Sequence, residues 1–354
     1  MICKRTKIKS IITFALLAGL SFNVDSAMAQ SNSGTVSKSG TAAAAFLRIP
    51  VGARGAALGS AAAATATDAS AMFWNPAGIA HISEYTLLVD DAKWLPGLHF
   101  NYVGAVLPME PIGTIGVNVT TLGTDDMDVT TVENPEGTGA KFSATSIAIG
   151  LTVARRLTDK FAIGANFKYI NETIWNSTAS SMAFDIGTLY TTPFDGIRFG
   201  VNIANFGAPL RMSGEDLNIQ VDLDPTIGGE NQSVVGEILT DSYETPLVMR
   251  VGLAWDAFQD DNNRLTVMAD AINPNDNTKS VNLGAELALL KDLAFIRGGF
   301  NEFLLDEEDA EKGMTFGGGL SWKTPYGLGL KVDYAYQEFK HLPSVNRFTF
   351  ALLF

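Results

Sequence analysis

Three histidines, His81, His99 and His341, are the only imidazoles in the chain, and a lipase-type centre would need one of them beside a serine near a rim. His99 heads an alternating segment and His341 lies close to the chain end, yet no nucleophile motif accompanies either, so the pattern does not point to an enzyme. The glycines Gly52, Gly55 and Gly59 lack the Gly-Lys-Ser/Thr of a phosphate loop and the strand context of a dinucleotide fold. Close packing explains them better. Three acidic clusters, Asp125-Asp126-Met127-Asp128, Asp222-Leu223-Asp224 and Asp306-Glu307-Glu308-Asp309, are dense in the oxygen ligands that Ca²⁺ takes. Their spacing matches no calcium loop, so they read as solvated charge, and no metal or cofactor is expected.

Composition narrows the remaining choices. The 354 residues are 46% hydrophobic and 18% charged, with a mean hydropathy of +0.13. That is too apolar for disorder, and after residue 22 no apolar run approaches the roughly 18 to 20 residues of a membrane-spanning helix. Twenty-five basic against 38 acidic residues give a net charge of −13, which excludes a nucleic-acid partner because phosphate binding needs basic surface. The first 29 residues read as a signal peptide: Lys4, Arg5, Lys7 and Lys9 precede an apolar stretch from Ile11 to Phe22, and Ala27-Met28-Ala29 is an A-x-A site. Cleavage before Gln30 is expected, which makes the mature chain an exported one. It removes those four cations and Asp25, taking the net charge from −13 to −16. The single cysteine, Cys3, leaves as well, so no thiol chemistry or disulfide framework remains.

From Tyr85 to the last residue, apolar side chains alternate with small or polar ones in segments bounded by Pro, Gly, Asn or Asp. Fourteen such segments lie near 85–93, 98–107, 113–122, 143–155, 160–171, 180–191, 196–206, 245–256, 264–272, 279–289, 292–301, 313–323, 327–337 and 346–354. An even number of antiparallel strands of this length is what a transmembrane β-barrel requires. The links alternate too. Short turns at 108–112, 157–158, 192–195, 291 and 324–326, with a somewhat longer one at 257–263, would face the periplasm. The longer connections at 123–142, 172–179, 207–244, 302–312 and 338–345 would face outward. Tyr190, Trp255, Trp322 and Tyr326 then fall at the inner strand ends and Trp94, Tyr169, Trp175, Tyr334 and Tyr336 at the outer ones, as headgroup-level aromatic belts do. Phe350, Leu352 and the terminal Phe354 share one face of the last segment and read as a barrel insertion signal. Val201 is placed on the lipid face and Asn202 in the lumen, where a charge is expected to be tolerated.

Residues 30–84 follow a different rule. Residues 31–40 are a flexible lead-in, and from Thr41 small residues dominate up to Phe73-Trp74-Asn75-Pro76-Ala77-Gly78, without period-2 alternation. This composition suits short helical turns inside a barrel, close to inward-facing glycines such as Gly164, Gly187 and Gly200. Asn75-Pro76 should bend this hatch, because Pro lacks an N–H and biases the preceding residue away from the helical region. Lys168, Asp185, Arg198, Arg250, Asp270, Glu286, Arg297, Lys331 and Asp333 are expected in the lumen, pairing with one another and with the hatch.

The run Phe46-Leu47-Arg48-Ile49-Pro50-Val51-Gly52-Ala53-Arg54 and the later Asp68-Ala69-Ser70-Ala71-Met72-Phe73-Trp74-Asn75-Pro76-Ala77-Gly78-Ile79-Ala80 resemble the N-terminus of the PorV/PorQ family. That family belongs to the FadL-like outer-membrane barrels, with fourteen strands and an N-terminal hatch carrying an Asn-Pro-Ala element. Gly59-Ser60 departs mildly from the two glycines frequent there. The expected architecture is thus all-β: a 14-stranded antiparallel transmembrane barrel (85–354) around a hatch (30–84), in the outer membrane of a Gram-negative bacterium and in contact with its lipid. The resemblance implies a type IX secretion role, in which the barrel binds C-terminal signal domains of secreted cargo and carries them from the translocon to a surface attachment complex. The alternative is passive FadL-like uptake of hydrophobic small molecules. For the first role the candidate partner contacts are Met127, Val129, Ile219, Val221 and Leu223, apolar residues in otherwise polar loops. For the second the candidate is the hatch motif Trp74, Asn75, Pro76, Ala77 and Gly78.

Overall fold

The computed structural model describes residues 40–109, 111–194, 196–222, 226, 234–305 and 310–354. The expected signal peptide, Leu223, Asp224 and the cluster 306–309 lie outside the described residues. Fourteen long strands form one closed antiparallel wall. They are β1 (Thr86–Lys93), β2 (Leu98–Met109), β3 (Gly113–Thr124), β4 (Ala144–Thr158), β5 (Phe161–Ile174), β6 (Ser177–Thr191) and β7 (Ile197–Gly207). There follow β8 (Val248–Gln259), β9 (Arg264–Pro274), β10 (Ser280–Leu289), β11 (Ala294–Phe300), β12 (Lys312–Lys323), β13 (Gly329–Phe339) and β14 (Val345–Leu353). Each strand pairs with its neighbours in sequence, and β14 returns to β1 with Thr86 opposite Leu353 and Ala92 opposite Arg347. Closure leaves the wall without a free edge, as a sheet in hydrocarbon must be.

The two-residue side-chain period decides which face is which. Along β6, Met182, Phe184 and Ile186 are exposed outward, while Ala183, Asp185 and Gly187 are buried inside. The same alternation gives an outer surface of Val, Ile, Leu and Phe around the wall, including Phe348, Phe350, Leu352 and Phe354 at the chain end. Phe354 stacks on Tyr85 across the closing seam, its N–H donating to the Tyr85 carbonyl at 3.0 Å. Tyr190, Trp322 and Tyr326 are exposed at the short-turn end, and Tyr169 and Trp175 at the other.

Three expectations shift. The connection 172–179 is not a long loop, because β5 runs to Ile174 and β6 begins at Ser177, leaving Trp175 and Asn176 as a two-residue turn with Trp175 at φ 51°. Polar and small residues on both sides conceal that the strands continue. The eighth strand begins at Val248, not 245. The Thr245 hydroxyl donates to the Asn205 carbonyl and the Pro246 carbonyl accepts from the Asn205 amide, which holds 245–246 outside the ladder. Trp94 does not join an outer belt; its ring meets Phe339 edge-on at 5.4 Å and packs against the buried apolar cluster.

The outer connections carry small sheets of their own. Met127–Asp128 pairs with Lys141–Phe142, Leu210–Arg211 with Ser242–Tyr243, and Asn218–Val221 with Val234–Glu237, while Ser213–Gly214 extends the outer end of β6.

Candidate functional site

The hatch descends through the lumen from the outer end. Its first turn, Ala45–Arg48, sits under the outer loops: the Ala44 N–H donates to Glu172 at 3.1 Å and Arg48 pairs with Asp276 at 2.9 Å. Phe46, Leu47 and Ile49 belong to one buried apolar cluster with Phe100, Ile170 and Leu210 from the wall and the long loop. Below follow α1 (Ala53–Ala57), α2 (Ala71–Trp74) and a 3-10 turn, Pro76–His81, that leads to β1. Runs this short have little intrinsic stability, so packing against the wall must hold them.

The expected bend is present. Asn75 is extended at φ −164° between α2 and the 3-10 turn, where Pro76 occupies the first position and no N–H is needed. Its side chain makes three bonds: the amide donates to the Ala63 carbonyl at 2.7 Å and the Thr188 carbonyl at 2.9 Å, and the oxygen accepts from the Ala77 N–H at 3.2 Å. Trp74 donates its indole N–H to the Val51 carbonyl at 2.8 Å, and its own carbonyl accepts from Asn202 of β7 at 2.8 Å. Trp74, Asn75, Pro76, Ala77 and Gly78 are all buried. A Cβ on Gly187 would stand 2.1 Å from the Asn75 oxygen, and one on Gly78 would stand 2.0 Å from the Ala66 carbonyl, so both positions require hydrogen. Asn202 is fully buried beneath the hatch, which corrects the expectation that it would tolerate a charge.

Charged groups fix the hatch at several heights. Glu286 of β10 accepts from Arg54 of α1 through both oxygens, at 2.9 and 3.1 Å, and from Arg297 of β11 at 2.8 Å. Arg297 also reaches Asp333 of β13 at 2.5 Å, and Arg54 lies 3.7 Å from Asp68. At the seam, Asp90 of β1 pairs with Arg347 of β14 and accepts from the Gly52 N–H at 3.0 Å. Thr349 of β14 donates to Asp90 at 2.7 Å and accepts from the Ala53 N–H at 2.6 Å. The first and last strands are therefore each held by one of two adjacent hatch amides. Asp270 accepts from the Ala63 N–H at 2.9 Å, Lys168 pairs with Asp185 at 2.9 Å, and Arg250 lies over the Phe73 and Trp74 rings at 5.4 and 5.7 Å. Of the expected lumen charges, Arg198 pairs with Asp256 of β8 and Lys331 lies 5.6 Å above the Phe295 ring. The crevice between Arg54, Asp68, Ser70 and Trp74 has no room for a water molecule.

Sequence reasoning passed over Arg54, Asp90, Arg347 and Thr349. Arg54 could have been found as the sole cation between Val51 and Ala66. Asp90 and Arg347 sit on the inward period of strands otherwise read for their outward residues.

The loop candidates fall in two separate hairpins. Met127 is exposed in its short strand, and Val129 continues that hairpin through the Ala140 carbonyl at 2.9 Å. Ile219 is exposed and Val221 half-buried in the hairpin Asn218–Val221 with Val234–Glu237. That hairpin also exposes Val234, Val235, Ile238 and Leu239, which sequence reasoning missed. The hairpin is anchored through Asp216, which accepts from the Asn176 N–H at 2.8 Å and from the Asn176 amide at 3.0 Å. Desolvation opposes these bonds and the one from Ser177, but together they outweigh it and hold the Asp216 carboxyl below the usual carboxylate range. His99 meets Asp125 at 2.9 Å at the outer rim, whereas His81 ends the hatch at the opposite side, where burial and then Arg156 and Arg198 push its imidazole below the usual value.

A closed fourteen-stranded antiparallel β-barrel around a polar-anchored hatch defines the fold class. A family model described as an uncharacterised protein family (UPF0164) matches residues 21–180, somewhat less than half of the chain. No curated protein matches. Among solved structures, a deletion mutant of the monoaromatic hydrocarbon channel TodX superposes with a TM-score of 0.54 at 13% identity, over 85% of this chain and 97% of that one. The toluene transporter TodX of Pseudomonas putida gives 0.51 at 11% identity over 85% and 96%, and the monoaromatic hydrocarbon channel CymD gives 0.51 at 13% over 86% and 97%. At such identities the likeness is one of fold.

Proposed function

We propose that the chain resides in the outer membrane of a Gram-negative bacterium and works as a binding barrel. Its outer loops hold the C-terminal signal domain of secreted cargo and carry it from a type IX translocon to the surface attachment complex. The observation that supports this reading is the contrast between lumen and loops. The lumen is filled by a hatch tied to the wall through buried charges, while the longest outer connection exposes apolar side chains on a hairpin of its own. Exposed apolar clusters rimmed by polar residues mark protein contact sites. The resemblance of residues 46–80 to the PorV/PorQ family points the same way.

The second reading is passive transport of hydrophobic small molecules. One feature favours it: a buried apolar cluster brings Phe100, Ile170 and Leu210 together with the hatch residues Phe46 and Leu47, which could yield to a ligand. Two of the superposed proteins, TodX and CymD, are monoaromatic hydrocarbon channels, which fits this alternative.

Replacing 212–240 by a few Gly and Ser residues separates the two. Under the cargo reading the barrel still inserts and surface display of secreted proteins is lost. Display that survives this deletion but fails when Asn75 and Pro76 are replaced moves the site to the hatch and removes the cargo reading.

A further inference from the structure

The hairpin in the longest outer loop has an edge that no other described strand pairs with. Its register sets Asn218 opposite Glu237, Ile219 opposite Gly236, Gln220 opposite Val235 and Val221 opposite Val234. The Ile238 N–H donates to the Leu217 carbonyl at 2.8 Å just outside this ladder. In an antiparallel pair, hydrogen-bonded and non-bonded positions alternate. Counting from 217/238, the bonded pairs are 219/236 and 221/234, so the main-chain groups of Val235 and Glu237 point away from the partner strand. The two-stranded sheet pairs with nothing further among the described residues. Val235 and Glu237 thus present N–H and C=O groups two residues apart, the spacing an added strand needs, and the Val235 side chain is 70% exposed beside them.

The field around this edge has one sign. The described part of the same loop carries Glu215, Asp216, Asp222, Glu237, Asp241 and Glu244 against Arg211 alone. The outer loop between β3 and β4, one outer connection away, adds Asp125, Asp126, Asp128, Glu133 and Glu136 against Lys141. The opposite end of the barrel mixes both signs, with Arg155, Arg156 and Lys160 beside Asp159 on one turn and Arg264 and Lys291 beside Asp260, Asp261 and Asp292 on another, so the excess of acid belongs to the outer face. An acidic strand would meet like charge here, and a basic one would be drawn in.

We propose that the Val234–Glu237 edge takes up a basic, extended segment of a secreted polypeptide as an additional strand, steered to it by the acidic outer loops. This rests on the cargo-binding reading and specifies the partner's chemistry.

The test uses the full mature chain in lipid nanodiscs and three 12-residue peptides: alternating Lys and Val, the same composition interrupted by two prolines, and alternating Glu and Val. The Lys/Val peptide should bind best, and severalfold more weakly at 200 mM than at 50 mM salt. Val235→Pro removes an outward N–H without touching a ladder bond, and should weaken Lys/Val binding about tenfold, the effect of losing about one net hydrogen bond. The proline-interrupted peptide should bind Val235→Pro and the parent alike, which controls for damage to the hairpin. Equal affinity of the Lys/Val peptide for parent and Val235→Pro, or equal affinity of the Glu/Val peptide, overturns the proposal. If display in cells is lost with 212–240 while the edge shows no preference, cargo binding stands and strand addition falls. If edge binding holds but display survives the deletion, the site stands and the cargo reading falls.

Discussion

Glu286→Gln is the most exacting perturbation of the hatch. In the parent, one carboxylate accepts three bonds of 2.8 to 3.1 Å from Arg54 and Arg297, side chains that are 16% and 0% exposed. The amide keeps the shape but removes the charge, leaving two guanidinium groups against a neutral group that can accept at only one atom. Breaking a buried pair by neutralising one partner costs about 3 to 5 kcal/mol. Arg297 retains Asp333, and Arg54 retains the Thr65 carbonyl at 3.2 Å, so the lower end applies. About 3 kcal/mol corresponds to about a hundredfold shift in the docking equilibrium of α1. Cys3 is the one cysteine of the sequence, so in a chain beginning at Gln30 Ser60→Cys, a near-isosteric change in the buried turn after α1, gives a single reporter thiol. Labelling by a membrane-impermeant maleimide should be slow in the parent and about a hundredfold faster with Glu286→Gln, because it tracks the open population. Replacing Arg54 by Met and Glu286 by Leu together should cost less than the two single changes combined, since no unpaired charge is left at that contact. Unchanged labelling with Glu286→Gln would show that the charges do not hold the hatch.

Gly187→Ala should unseat the Asn75 bend, since its Cβ would lie 2.1 Å from the Asn75 oxygen. Gly298→Ala, whose nearest neighbour is 3.9 Å away, should be silent in the same labelling assay. Val201→Arg on the outer face should lower refolding stability in lipid by about 2 to 4 kcal/mol if it lies near the midplane, and Asn202→Asp should also destabilise because that side chain is sealed under Trp74. The Asp216 carboxyl titrates below its unfolded value, so its contribution to loop anchoring is fully present above that value and is lost as the pH falls through the lower folded one. Hydrogen exchange of the Asn176 amide should therefore stay protected at pH 5 and rise only under more acid conditions, whereas Asp216→Asn should raise it at every pH.

The wall was legible because its rule is local: outward residues must be apolar, inward ones small or polar, and period two makes every strand repeat that statement. The turn at Trp175 and Asn176 was misread because Glu172, Thr173 and Ser177 to Ser181 are polar or small on both faces, so alternation carries no hydropathy contrast there. The hatch was legible from its small residues and Asn-Pro break. Its anchors were not, since Arg54 with Glu286 and Gly52 with Asp90 join positions 232 and 38 residues apart. Of the loop candidates, Met127 and Ile219 are exposed as contact residues must be. The open edge at Val235 depends on register, which composition does not encode.

A photo-cross-linker placed singly at Leu239, 73% exposed in the outer loop, and at Ala57, buried in α1, tests the division between a closed lumen and working loops in native membranes. A barrel that carries cargo on its outer face should give polypeptide adducts from Leu239, identifiable as secreted proteins, and from Ala57 only bonds within its own chain. Polypeptide adducts absent at Leu239, with a small lipophilic molecule captured at Ala57, would contradict it.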